Sequence, residues 1–480
     1  MLTETANGYS RLSFWPRVRE FAVPPSMIET ATARRHVGDW AGACAAARVD
    51  VDLSPRSVVR THGPELAARL RADLSHLAPD LLRWHMPRIA PDGLLRPGLT
   101  VALARYGDGL SGVGPVHLVA RTPPAWADAG QRISLALWDG SPADAGARRH
   151  PHPHPDRRFR LDLHRHLWDA RRADELRTRS GADSPPGEGG SPRDPVLDPV
   201  VDPVLDPVVL EVLPPGHRCA VDRWAAEAGI LLRAEGRSTG AVAVRLGAKQ
   251  RLELELVADE HGGGPPVLRF AEPGGTGSAP APPLLPDAAT WVPPDLELIR
   301  AGAVDVDRLH PLVASALVPG CSPTGPAPVP ERSGQPRLVE CRGARHRIGL
   351  VDGVLAALDH GPDEIRREEL LAALTGTPLA CLVAIDEAHR SPDCLMGVRE
   401  RLDHGDAAGA LAVVEGLLGP DALLRGGALR DELEAAAERR VTYGLFRAGM
   451  VGPGPGSGRN LPRDKRPRDL RSHPRDVATR

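Results

Sequence analysis

Four places in the chain bring together side chains able to do chemistry. Leu382-Val383-Ala384-Ile385-Asp386-Glu387-Ala388-His389 sets two carboxylates and an imidazole behind an apolar run. His150-Pro151-His152-Pro153-His154-Pro155-Asp156, with His164 and His166 downstream, offers imidazoles to a transition metal. Cys381, His389 and Cys394 offer two thiols and a base. Asp359-His360-Gly361 and Asp403-His404-Gly405 repeat one acid–base trio.

The first string resembles the apolar-strand-plus-DEAH segment of helicase-type ATPases. That resemblance implies Mg²⁺ on Asp386 and a water oriented by Glu387, and it requires a glycine loop ending in Gly-Lys-Ser/Thr. The chain has two lysines, Lys249 in Gly247-Ala248-Lys249-Gln250 and Lys465 near the C-terminus, and neither stands in such a loop. Pro378 before the string and Ser391-Pro392 after it frame a helix. On a helix Leu382, Ile385 and His389 share a stripe, and Asp386 pairs with Arg390 one turn on. A solvated helix face over 378–390 is therefore expected.

The other three sets weaken in the same way. A polyproline chain has three residues per turn, so alternate histidines of the His-Pro tract do not share a face. Cys381, His389 and Cys394 match no zinc-ligand spacing, and buried thiols are expected there. The two Asp-His-Gly trios each stand where a structured element ends; at a helix C-terminus His is favoured by the dipole and Gly supplies a left-handed cap. No catalytic, cofactor-binding or metal residue is assigned. An enzyme reading would rest on Asp386, Glu387, His389, His346 and His360. The interaction candidates are Trp40, Trp84, Met86 and Arg88, the last three in the large-side-chain cluster that starts at Leu81.

These residues must be held by a chain of uneven composition. It has 480 residues, 41% of them hydrophobic and 25% charged, enough to bury cores. Gly and Pro number 50 each, which predicts long linkers. Sixteen aromatics are too few for a repeated base-stacking platform. Sixty basic against 62 acidic residues leave no global field for nucleic acid or an anionic membrane. All basic residues but two are arginines, which reads as codon bias of a high-GC genome. Six scattered cysteines make neither a disulfide scaffold nor a zinc ribbon. With no secretory leader and no long apolar run, a cytoplasmic protein is expected.

The expected fold class is α+β and multi-module, with helical N- and C-terminal regions, small antiparallel β units between them and long Pro/Gly-rich linkers. A helical module covers 26–95, starting at a capping-box-like Ser26-Met27-Ile28-Glu29, with Leu66, Leu70, Leu74 and Leu77 on one face. An antiparallel β unit with a trailing helix covers 96–180; Phe159, Leu161 and Leu163 suggest a fourth strand. A four-residue repeat starting Asp194-Pro195-Val196-Leu197 marks 181–209 as a disordered linker. A small α+β unit covers 210–272, and a linker with short helices covers 273–335. A β-hairpin plus helical bundle covers 336–450, with helices over 362–374, 378–390, 392–402, 406–418 and 428–447. Residues 361–450 carry a net charge of −6, and the disordered tail 451–480 carries +5.

One six-residue phrase recurs: Gly38-Asp39-Trp40-Ala41-Gly42-Ala43 and Gly405-Asp406-Ala407-Ala408-Gly409-Ala410. The first Gly suits a left-handed helix end and Asp the next N-cap. The second Gly, with Ala, suits close approach of the two helices. The turn is similar to that of tetratricopeptide-type helical hairpins, which implies helical-hairpin surfaces that bind partners. The expected function is thus that of a non-enzymatic protein-interaction or scaffold protein with an unidentified protein partner and no membrane association. The alternatives are a hydrolase or transferase assembled from distant residues, and nucleic-acid contact through the Arg-rich tail.

Overall fold

A computed structural model describes residues 12, 14–107, 114–128, 130–140, 150–183, 219–247, 250–257, 267–271, 281–320, 337–341, 343–376 and 378–450. The Asp-Pro-Val repeat, Cys321 and the Arg-rich tail lie outside the described residues. The protein is α+β and multi-module, as the sequence predicts. It divides into two compact units, the second consisting of residues 127–131 and 325–451.

The first unit opens with α1 (Trp15–Arg17), which widens into a π turn at Val18–Ala22. Next come α2 (Pro25–His36), α3 (Trp40–Ala46), β1 (Val49–Val51), α4 (Pro55–His76) and α5 (Pro79–His85). Three of these helices start on proline, which fits the first turn because its missing N–H would have no partner there. Helix α2 begins on Pro25, so Ser26 lies within the first turn and caps nothing. Helix α4 breaks at Gly63 (φ 85°), ahead of Pro64. A ribbon of β2 (Arg88–Ile89) and β3 (Leu94–Leu95) leads to β4 (Thr100–Tyr106), β5 (Val116–Arg121) and β6 (Ile133–Trp138).

The main sheet runs β1-β6-β5-β4, antiparallel except that β1 lies parallel to β6, with Val49 opposite Ile133. The expected helical module therefore shares its sheet with the expected β unit. One apolar cluster, from Phe14 to Leu317, joins them. Phe159–Leu163 is not a strand. Only Arg160 bridges to Ala102, and turn bonds from Leu163 N–H to the Arg160 carbonyl and from His164 N–H to the Leu161 carbonyl curl the segment away. The trailing helix is α6 (Leu176–Ser180).

Helix α7 (Val221–Ala234) covers the meander β7 (Gly240–Arg245), β8 (Arg251–Val257) and β9 (Val267–Phe270). Leu252, Leu254 and Leu256 face inward, while Glu253 and Glu255 face outward, as alternation requires. Short helices α8 (Asp287–Thr290), α9 (Pro294–Arg300) and α10 (Pro311–Leu317) follow. Leu296 and Val313 belong to the main core, so this stretch is packed structure rather than spacer.

Among the described residues, the second unit is a meander, β10 (Arg337–Cys341), β11 (Ala344–Val351) and β12 (Val354–Ala357), with five helices. These are α11 (Pro362–Thr375), α12 (Ala380–Arg390), α13 (Leu395–Asp403), α14 (Ala407–Leu418) and α15 (Ala428–Ala448), close to the expected spans. Only Pro362 stands at a first helical turn. Pro378 and Pro392 stop just short of α12 and α13.

Candidate functional site

The structure places the sequence-derived candidates in several separate surroundings. Trp84 and Met86 are each 1% exposed and sit in the core, where no partner can reach them. Arg88 is half-buried and donates to the carbonyls of Gly93 and Arg83, and Trp40 packs half-buried against the core. Residues 380–390 form a helix, as the proline frame implies. Asp386 pairs with Arg390 at 2.8 Å and Arg425 at 2.6 Å, Glu387 is exposed and His389 is buried. The string is thus a helix and not the buried strand that the ATPase resemblance requires.

The His-Pro histidines serve the first unit locally. His150 is buried between the Thr122 and His152 carbonyls, and His154 meets the Trp138 ring edge-on at 5.4 Å. His164 faces Glu227 at 3.3 Å, beside Arg179. Another buried His–Asp pair was not anticipated. His310 Nε2 lies 3.0 Å from Asp80 Oδ2, and its Nδ1 accepts the Leu312 N–H at 3.2 Å. With Nδ1 occupied by the backbone, Nε2 carries the proton and donates to Asp80. The ring has no nitrogen left to act as a base, so the pair anchors α10 to α5 rather than doing catalysis.

The two phrases that recur do fold alike. Gly38 and Gly405 are left-handed (φ 78° and 84°). Asp39 accepts from the Gly42 N–H and Asp406 from the Gly409 N–H. Arg34 and Arg401, each five residues ahead, donate to the capping carboxylates at 3.2 and 2.9 Å. The second glycine has a different task from the one expected. A Cβ at Gly42 or Gly409 would come 2.1 Å from the capping carboxylate, so glycine makes room for the cap. His404 ends α13 as the C-cap, but His360 does not end a helix; it lies between β12 and α11.

Two features of the second unit point to function. The first is its surface. Among the described residues, all the exposed large hydrophobic side chains except Val37 and Val59 lie between 337 and 450. Helix α11 buries no residue fully. It leaves Leu370, Leu371 and Leu374 exposed at 63%, 47% and 85%.

The second is a cluster at the junction of β10, the β12–α11 turn and α12. Strand β10 pairs with β11 so that Cys341 stands opposite Ala344 at the closing turn, with Gly343 left-handed. Asp359, after β12, accepts the Arg347 N–H at 2.7 Å and its guanidinium at 2.7 Å, which fixes the chain just before His360. Cys381 enters from the first turn of α12. Cys381 Sγ lies 3.6 Å from His360 Nε2, and His360 Nδ1 lies 3.3 Å from Glu364 Oε2. His346 stacks on His360 with ring centres 4.3 Å apart, and its Nδ1 is buried without a hydrogen bond. Both thiols are buried, and His360 is nearly so. Burial, reinforced by the Cys341 thiol and then the Asp359 carboxylate, pushes the Cys381 thiol up to about 11. Alone, the thiol is therefore a poor nucleophile.

Cys341, His360 and Cys381 are the one group of three such side chains, among the described residues, with donor atoms all within 4.8 Å. Of the five residues on which an enzyme reading rests, His346 and His360 stand together here; Cys381 meets neither His389 nor Cys394 in this group but joins His360 and Cys341. Cys341, at the mouth of a hairpin, was the available signal. Comparison of the chain with protein-family models, with curated proteins and with solved structures returns no match, so its function must be argued from this geometry alone.

Proposed function

We propose that the chain is a non-enzymatic protein-interaction or scaffold protein that docks its partner on the 337–450 unit, with α11 at the centre of the contact. The observation that carries this reading is the uneven distribution of exposed apolar side chains. Among the described residues, the first unit covers its large hydrophobics almost completely, while the second leaves three leucines of one helix in solvent. Grouped apolar side chains of this kind mark docking surfaces. The acidic residues of α11 (Asp363, Glu364, Glu368, Glu369) and the −6 charge of 361–450 favour an apolar partner face with a basic rim.

The test compares the full chain with a Leu371→Asp/Leu374→Asp variant. A protein captured by the wild type, purified and titrated directly should bind the variant at least tenfold more weakly, with the helical content of the variant unchanged. Light scattering of the wild type alone reports whether the partner is a second copy. Capture of nothing above background, or equal binding by the variant, removes this reading.

A further inference from the structure

We propose that Cys341, Cys381 and His360 form a three-ligand Zn²⁺ site that ties β10, the turn before α11 and α12 together. The inference goes beyond the docking role and does not depend on it.

The donor set suits this ion. Zinc takes thiolate sulfur at about 2.3 Å and imidazole nitrogen at about 2.0–2.1 Å, in tetrahedral geometry. Those bond lengths put a sulfur and a nitrogen on one ion about 3.6 Å apart. Cys381 Sγ and His360 Nε2 are 3.6 Å apart. The third donor, Cys341 Sγ, lies within 4.8 Å of both.

The charge also balances. Each thiol loses its proton to solvent as its sulfur bonds the metal, so one Zn²⁺ replaces two protons. Two thiolates and a neutral imidazole then cancel the ionic charge, which a buried site requires. Harder cations prefer oxygen donors, and none of the three donors is oxygen.

The surroundings are those of a ligand histidine. A metal-bound imidazole ordinarily gives its far N–H to a carboxylate, which fixes ring and tautomer. Glu364 stands 3.3 Å from His360 Nδ1 and leaves Nε2 facing Cys381. The fourth position falls to water, since His346 stacks on the His360 ring and is not among the three grouped donors. The site would also link the start of α11, through Glu364 and His360, to the hairpin. That linkage makes it a clamp at the N-terminal end of the helix whose later turns carry the exposed leucines.

Metal content and thiol protection of the purified full-length chain test this. The expected result is one zinc per chain. Co²⁺ in its place should give a thiolate-to-metal charge-transfer band that saturates at one equivalent. Alkylation mapped by mass spectrometry should spare Cys341 and Cys381 in the zinc-loaded wild type and label both after chelation. That readout needs no mutant, so it survives if Cys341→Ser fails to fold. Cys394→Ser should keep the band, His360→Ala should abolish it, and Glu364→Gln should weaken Zn²⁺ binding about 10–100-fold. Equal labelling of Cys341 and Cys381 with and without zinc would overturn the proposal. So would cobalt binding without a thiolate band, or a Cys341–Cys381 disulfide in the protein as isolated.

Discussion

Arg19 and Asp295, 276 residues apart in sequence, form a two-pronged ion pair inside the first unit. Arg19 Nε and Nη2 donate to the two Asp295 oxygens at 2.8 Å each. Their side chains are 2% and 1% exposed. Trp84 Nε1 donates to the same carboxylate at 3.0 Å, and the guanidinium lies over the Trp84 ring at 4.0 Å. Trp84 thus belongs to a buried polar knot that joins the N-terminal segment, α5 and α9. Such a pair contributes modestly as a pair, but it is costly to break, because the survivor remains charged and desolvated.

Asp295→Ala should therefore destabilise the protein by about 3–5 kcal/mol. The double change Arg19→Met/Asp295→Leu should cost clearly less than either single change. Urea unfolding of the three variants, with equal slopes, is the measurement. Additive losses would show that the two charges act independently.

The two capped turns make a paired prediction. Asp39→Ala and Asp406→Ala should each cost about 1 kcal/mol, the ordinary loss of an N-cap. Gly42→Ala and Gly409→Ala should cost about 1–3 kcal/mol, the range for overpacking, because the new methyl group meets the capping carboxylate. If the glycines served only close helix approach, Gly42→Ala combined with Asp39→Ala would still carry the full glycine penalty. If they make room for the cap, the double variant should recover most of it. Thermal unfolding of the single and double variants separates the two.

Much of the second unit was legible in the sequence. Its helices are punctuated by Pro362, Pro378, Pro392, Gly405 and Gly427, and each carries an apolar stripe, so local chemistry alone marks them. Strand β1 was not legible. Val49-Asp50-Val51 is too short to show a period, and its partner β6 lies more than 80 residues downstream. The Cys–His cluster was hidden for a related reason. Cys341, His360 and Cys381 meet only because β10 pairs with β11 and α12 packs on that hairpin, and no spacing rule encodes either event. His360 even carried a misleading signal, since Asp403-His404-Gly405 does end a helix in the way Asp359-His360-Gly361 does not.

Asp386 offers a check on the rejected ATPase resemblance. Its ion pairs with Arg390 and Arg425 are partly exposed and should each contribute no more than about 1 kcal/mol. Asp386→Asn removes both and should lower stability by at most about 2 kcal/mol. It should leave any phosphate release from ATP at the level of the wild-type protein. A nucleotide-dependent rate that falls with Asp386→Asn would restore the catalytic role.

Stability should fall with acid in two stages. Burial holds His85 down to about 4, opposed by Asp295 and reinforced by Arg19, and burial likewise holds His150 to about 4. Unfolded, both titrate near 6.5, so the unfolded chain takes up protons that the folded one refuses. Their contribution is complete above pH 6.5 and is lost as pH falls from there through 4. Glu227 behaves differently. Burial pushes its carboxyl up, but the His164 ring 3.3 Å away and the hydrogen bonds from Arg179 outweigh that and hold it at about 2, against 4.5 when free. Its contribution is present above 4.5 and is lost as pH falls toward 2. Midpoint temperature against pH should therefore start to decline below 6.5 and fall again below 4.5. His150→Asn should shrink the upper stage by about half, since His85 remains, and leave the lower one, whereas Glu227→Gln should flatten only the lower one. A flat profile between pH 7 and 4.5 would mean that the imidazoles are not held neutral by the fold.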